Sequence, residues 1–121
     1  MPNYKKASTT DLIKLFAKAA AEQGEALRAG DPKKANSRYR TMKKTYLELK
    51  SRNPEAQREI FSLFEHTDGY VRLNAAAHSL EFDPPSALRV LQILDKMESG
   101  LLGFTAGMIV KEWNKKQTAK A

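Results

Sequence analysis

Apolar positions recur at intervals of three and four along nearly the whole chain, and no stretch alternates β-branched residues with polar ones. This pattern predicts helices. The first opens at Thr9 or Thr10 and carries Leu12, Ile13, Leu15, Phe16, Ala19 and Ala20 as one stripe. Gly24 weakens its second half, and Gly30 stops it, because glycine accepts the left-handed conformation past a helix end. The second helix opens at Asp31-Pro32, where an aspartate caps free amides and proline gives up no hydrogen bond. Its apolar positions, Ala35, Tyr39, Met42, Tyr46 and Leu49, step by four, three, four and three, a narrow seam. A third helix begins with the same device at Asn53-Pro54, carries Ile60, Phe61, Leu63 and Phe64, and breaks at Thr67-Asp68-Gly69. A fourth covers about Tyr70 to Leu80. A fifth opens at Pro84-Pro85-Ser86, and Ser99-Gly100 separates it from a sixth, beyond which 115–121 form a frayed tail.

The third and fourth helices repeat in the fifth and sixth at an offset of 31 residues. Pro54, Ala56, Arg58, Leu63, Gly69, Ala75 and Glu81 fall on Pro85, Ala87, Arg89, Leu94, Gly100, Ala106 and Glu112. Seven identities compare with roughly two expected by chance, and they fall on the capping prolines, the turn glycine and apolar positions that a repeated helical hairpin needs. Phe82 and Trp113 are a similar pair.

A proline-started helix, an Asp-Gly turn and then VRLNAAAHSL resemble the HEAT repeat, in which the second helix carries Val-Arg followed by small alanines and a leucine. Residues 54–82 fit best. In 85–113, Gly103 replaces the arginine. Residues from about 35 to 113 also resemble a family of small bacterial proteins known as a domain of unknown function. The resemblance implies an all-α, HEAT/ARM-like right-handed superhelix of stacked hairpins. It would run as one domain over 1–121, with an N-terminal helical pair at 8–52 and hairpins at 54–82 and 85–113. It implies no activity. Alanines 75–77 and the Ala106-Gly107 pair suit helices approached closely from both sides. Gly103 and Gly107 serve close packing on a neighbouring helix.

Charge changes the picture at one element. Residues 33–52 hold eight bases and one acid, which accounts for the chain's whole net charge of +7. The remaining 13 basic and 13 acidic residues cancel. Lys33, Lys34, Arg38, Arg40, Lys43, Lys44 and Lys50 are the candidate partner-binding residues. They would steer an acidic partner by long-range attraction. The sequence contains no cysteine, no phosphate loop and no nucleophile elbow, and so supports no enzyme class, cofactor or metal. The longest apolar run, 101–110, is far shorter than the ~20 residues of a membrane helix, and the N-terminus carries no signal-peptide core, which points to a soluble cytoplasmic protein.

His78 shares a face with Val71, Ala75 and Phe82 and aligns with Ile109 in the repeat, so it is expected to pack. His66 is expected to favour the C-terminal end of the third helix, and Arg72 to pair with Asp68 or Asp95. The resulting function is a non-catalytic protein-interaction module, of which toxin-neutralising immunity proteins are one version. The net charge argues against a nuclease target, whose inhibitors mimic nucleic acid with acids. The alternative is sequence-independent binding of a nucleic-acid backbone through the same bases.

Overall fold

Side-chain caps set most helix boundaries. In the computed structural model, which describes residues 3–120, Ser8 Oγ accepts the Asp11 amide at 3.0 Å and caps α1 (Thr9–Arg28), which opens at the first of the two expected threonines. At its end Gly30 takes φ +70°, with the Asp31 amide returning to the Ala26 carbonyl at 2.8 Å and the Gly30 amide to Leu27, the bonds of a left-handed helix stop. Asp31 caps α2 (Pro32–Arg52), Asn53 caps α3 (Pro54–Arg58) and Asp83 caps α5 (Pro84–Met97), each followed by proline. Asp68 Oδ1 accepts both the Tyr70 and the Val71 amides and caps α4 (Gly69–Ser79). Among the described residues no strand forms, and six helices account for the fold.

Two elements differ from expectation. Beyond Arg58 the third helix winds as a 3-10 helix, Glu59–Glu65, continuous with α3. A three-residue turn stacks positions i and i+3. The apolar residues come in two such pairs, buried Ile60 with Leu63 and half-buried Phe61 with Phe64, whose rings lie 5.1 Å apart. The sequence pattern contains both i+3 and i+4 steps, and here the i+3 steps win. At the other end, α6 (Gly100–Lys120) runs through the segment expected to fray. Its last turns are exposed, and lysines there complement the helix C-terminus. Ala121, the end of the expected tail, lies outside the described residues.

The core falls into two clusters that share one helix. Leu12, Phe16, Met42, Leu49 and Ile60 join Val71 and Ala75 on one side of α4. Tyr70, Leu73, Ala76 and Leu80 join Leu91, Leu94 and Ala106 on the other. α4 is therefore enclosed by α1 and the 3-10 helix on one side and by α5 and α6 on the other, and Ala75, Ala76 and Ser79 are fully buried. The 3-10 helix packs on α4, and α6 lies along α5 and reaches α4. Among the described residues no helix is long and apolar enough to cross a membrane.

The glycines inside helices mark close approaches. A Cβ at Gly24 would meet Tyr70 Cδ2 at 2.5 Å and its Cβ at 3.0 Å, so the base of a buried ring occupies the place of a side chain. A Cβ at Gly107 would meet the Asp95 carboxylate of α5 at 2.6 Å, and one at Gly103 would run into the Glu98 carbonyl, which bears out close packing as the reason for both. The two kinds of neighbour yield under different conditions: Tyr70 is held at its root, whereas Asp95 is exposed and can rotate away. Gly24→Ala should lower stability by about 1–3 kcal/mol through overpacking. Gly107→Ala should change it by less than about 1 kcal/mol, in the stabilising direction set by helix propensity. Urea unfolding of the two variants measures both.

Candidate functional site

The bases of α2 divide into those used inside the molecule and those left outside it. Arg38 is half-buried, and its Nε donates to Glu22 Oε1 of α1 at 3.0 Å. It is therefore a brace between α1 and α2 and is removed from the expected binding set. Arg52 is a second brace. Its Nε donates to Glu48 at 2.9 Å, while Nη2 donates to the carbonyls of Tyr4 at 2.9 Å, Lys5 at 3.3 Å and Ala7 at 2.7 Å. This planar fork, which lysine could not reproduce, ties the N-terminal segment to the end of α2. Lys33, Lys34, Arg40, Lys43, Lys44 and Lys50 are exposed, and none of them forms an ion pair among the described residues.

These six do not share one face. With 100° between successive residues, Lys33, Arg40 and Lys44 lie on the side of α2 opposite its buried seam, in line with Leu47, whose side chain is half exposed. Beside them an open groove of about 790 Å³ is lined by Tyr4, Lys5, Lys44, Leu47, Glu48 and Ser51. Lys43 and Lys50, seven residues apart, occupy the flank turned toward His78 and the end of α6. Lys34 lies on the other flank.

The histidine found by sequence inspection is part of the wall between these elements. The His78 ring is surrounded by Phe16, edge-on at 5.2 Å, by Tyr46 at 5.3 Å and by Tyr39 at 5.8 Å. Its Nδ1 lies 2.8 Å from the Asn74 carbonyl. A carbonyl only accepts, so Nδ1 carries the proton and Nε2 is left as an acceptor, buried and without a partner. Burial holds the imidazole below its usual range, and the Lys43 ammonium acts in the same direction, against the bond to Asn74. The expectation of a packing role holds for these contacts. The residue also lines a cavity of about 480 Å³ with Tyr46, Lys50, Phe82, Trp113 and Lys116. Tyr46 is buried and its hydroxyl accepts from Gln57 Nε2 at 2.8 Å, whereas Tyr39, expected on the same inward seam, is 42% exposed.

The other two candidates have different partners from those expected. Arg72 reaches Glu98, at the end of α5, at 3.7 Å. Asp68 is engaged as the cap of α4, and Asp95 lies against Gly107 and forms no ion pair with Arg72. His66 Nδ1 accepts the Asp68 amide at 3.0 Å and stabilises the turn before α4, in place of the expected charge–dipole role. Among the described residues no three histidine, aspartate or glutamate side chains gather as metal ligands would. Sequence inspection passed over Arg52, Trp113 and Lys116. The similarity of Trp113 to Phe82 under the 31-residue offset was the one available sign that both face a common space.

A family model described as "Domain of unknown function (DUF2019)" matches residues 10–113. The chain belongs to this family. The DUF2019 match spans α1 to α5 and the part of α6 that carries Trp113, and so includes both the α2 bases and the His78 wall. The fold is also that of the crystal structure of the protein RPA1889 from Rhodopseudomonas palustris CGA009. The two are 29% identical with a TM-score of 0.89 over 95% of each chain. No curated protein matches the sequence.

The state of His78 fixes a pH dependence. Its folded pKa lies below its unfolded value of about 6.5. The unfolded chain therefore takes up this proton first, and stability present above about pH 6.5 is lost as pH falls through the folded value. The melting temperature should fall between pH 7.5 and 5.5, and His78→Leu should fold and show a smaller fall over the same range.

Proposed function

We propose that this DUF2019 protein is a non-catalytic protein-interaction module that receives an acidic partner along the outer side of α2. The observation that carries the reading is the line Lys33, Arg40, Lys44 and Leu47, exposed on one side of a single helix beside an open groove. The cations supply attraction over about a Debye length, ~8 Å at physiological ionic strength. Leu47 and the Tyr4 ring supply the apolar contact that converts an encounter into a complex, since an interface needs a desolvated centre as well as a charged rim. Arg52 holds the groove's N-terminal wall in place through three carbonyls, so the partner meets a preformed surface. In this reading the helical hairpins are a HEAT-like stack, and α2 is the terminal helix whose outer side no further hairpin covers.

Backbone contacts to nucleic acid would use the same cations without Leu47, and one experiment separates the two. A leucine-containing peptide of alternating glutamates should bind at low salt, weaken as salt rises, and lose at least about fivefold in affinity in the Arg40→Glu/Lys44→Glu variant. Leu47→Ala should weaken the peptide further and leave duplex DNA unaffected. Tighter binding of generic duplex DNA than of the peptide at equal salt, with a steep salt dependence, would overturn the protein-partner reading.

A further inference from the structure

The cavity between α2, α4 and α6 is built from residues that the outer side of α2 does not use. Its walls carry three aromatic side chains, Tyr46, Phe82 and Trp113. Two lysines line it from different helices, Lys50 from α2 and Lys116 from α6, and neither forms an ion pair among the described residues. One acid, Glu81, lines it too, which leaves the cavity with a net charge of +1, and Lys43 lies close enough to act on His78 in its wall. A second, smaller cavity of about 270 Å³ shares the lining residues Leu80, Trp113 and Lys116, and its walls are largely apolar, with Ile109 and Met108, but also carry the acid Glu112. Phe82 and Trp113, the pair aligned by the 31-residue offset, thus line one space, whereas the aligned pair His78 and Ile109 lines one compartment each.

We infer that the joined cavities are a binding site for a small apolar monocarboxylate, one that bears an aromatic ring or a branched aliphatic chain. The combined space lies within the ~300–1,000 Å³ of ordinary ligand sites, and it has the composition of one: apolar and aromatic walls with a few convergent polar groups. The carboxylate sits between Lys50 and Lys116, which line the cavity from separate helices. The apolar body lies against Trp113 and extends toward Leu80 and Ile109. Over the joined space Lys50 and Lys116 are balanced by Glu81 and Glu112, so a second negative charge on the ligand would meet those acids, and a single carboxylate belongs at the lysine end. His78 Nε2, buried in this region without a hydrogen-bond partner, is a polar group of the sort that native sites complete with a bound molecule or water.

Trp113 is the only tryptophan, so its emission reports on this site alone. Titration of the intact protein with 3-phenylpropionate, followed by that emission and by the indole N–H resonance, should give one saturable transition near ~1 mM, as befits a ligand of about a dozen atoms. The uncharged 3-phenylpropanamide should bind about fivefold more weakly, Lys116→Gln should weaken the acid about threefold, and Glu81→Gln should tighten it. Lys14, exposed on α1 and outside both the cavity and the groove beside α2, can be reversed to glutamate without effect. The absence of a saturable response overturns the inference. So does equal binding of acid and amide, which would reduce the site to an apolar hole, and so does a Lys116→Gln variant, folded by circular dichroism, that binds as the parent does.

Discussion

The arrangement depends on α4 being thin. Two neighbouring alanines, Ala75 and Ala76, face two different hydrophobic clusters, and both are fully buried. A helix packed on one side can carry large residues along its inner stripe. A helix packed on both sides can do so only where its neighbours leave room, and helix axes separated by 8–10 Å leave little. Ser79 satisfies the same limit with a small polar side chain that bonds back to the Ala75 carbonyl at 2.7 Å and so needs no outside partner. Gly24 is the reciprocal concession on α1, giving its place to the Tyr70 ring. Small residues on two helices thus fix how closely the N-terminal pair and the C-terminal hairpin approach, and that distance sets the width of the space between the end of α2 and the end of α6.

Net charge gives an inflated picture of what α2 offers. Eight bases reside there, but Arg38 and Arg52 are committed to internal bonds, and the other six are spread over three sides of the helix. Both internal cations are arginines. A planar guanidinium can satisfy several acceptors in a fixed geometry, as Arg52 does with three carbonyls and a carboxylate. The exposed positions are five lysines and Arg40. The chain thus separates structural cations from available ones largely by residue type, and a count of positive charges cannot make that separation.

Much of the fold was legible because local chemistry decided it. Asp31, Asn53 and Asp83 before prolines, and Gly30 in the left-handed region, act within a few residues of themselves, and the helices start and stop where those signals lie. The apolar seam of α2 was legible for the same reason, except that Tyr39 sits at its edge and remains partly exposed. The misreadings all involve choices between near-equal options that distant contacts settle. Ile60, Phe61, Leu63 and Phe64 fit either helix type. Asp68 could have paired with Arg72, but capping two amides within its own turn requires no long side chain to be ordered. The site was less legible still. Its two compartments draw residues from α2, α4 and α6, which only the packing of α4 brings together. Inspection of His78 identified the right wall and missed the space in front of it.

The two-sided burial of α4 also has a kinetic reading. The N-terminal cluster and the C-terminal cluster have few means of sensing each other except through this helix, since α1 and α2 pack chiefly on one another and α5 packs chiefly on α6. Each cluster completes its apolar contacts only when α4 is helical, yet α4 contributes only eleven residues and, alone, is too short to be stable in water. Helix formation in α4 and docking of either hairpin must therefore be mutually dependent. The amides of α4 should exchange with solvent only on global opening, while the outer ends of α2 and α6 exchange by local fraying. A chain whose two ends could have melted one at a time is in this way joined into one cooperative unit by its smallest side chains.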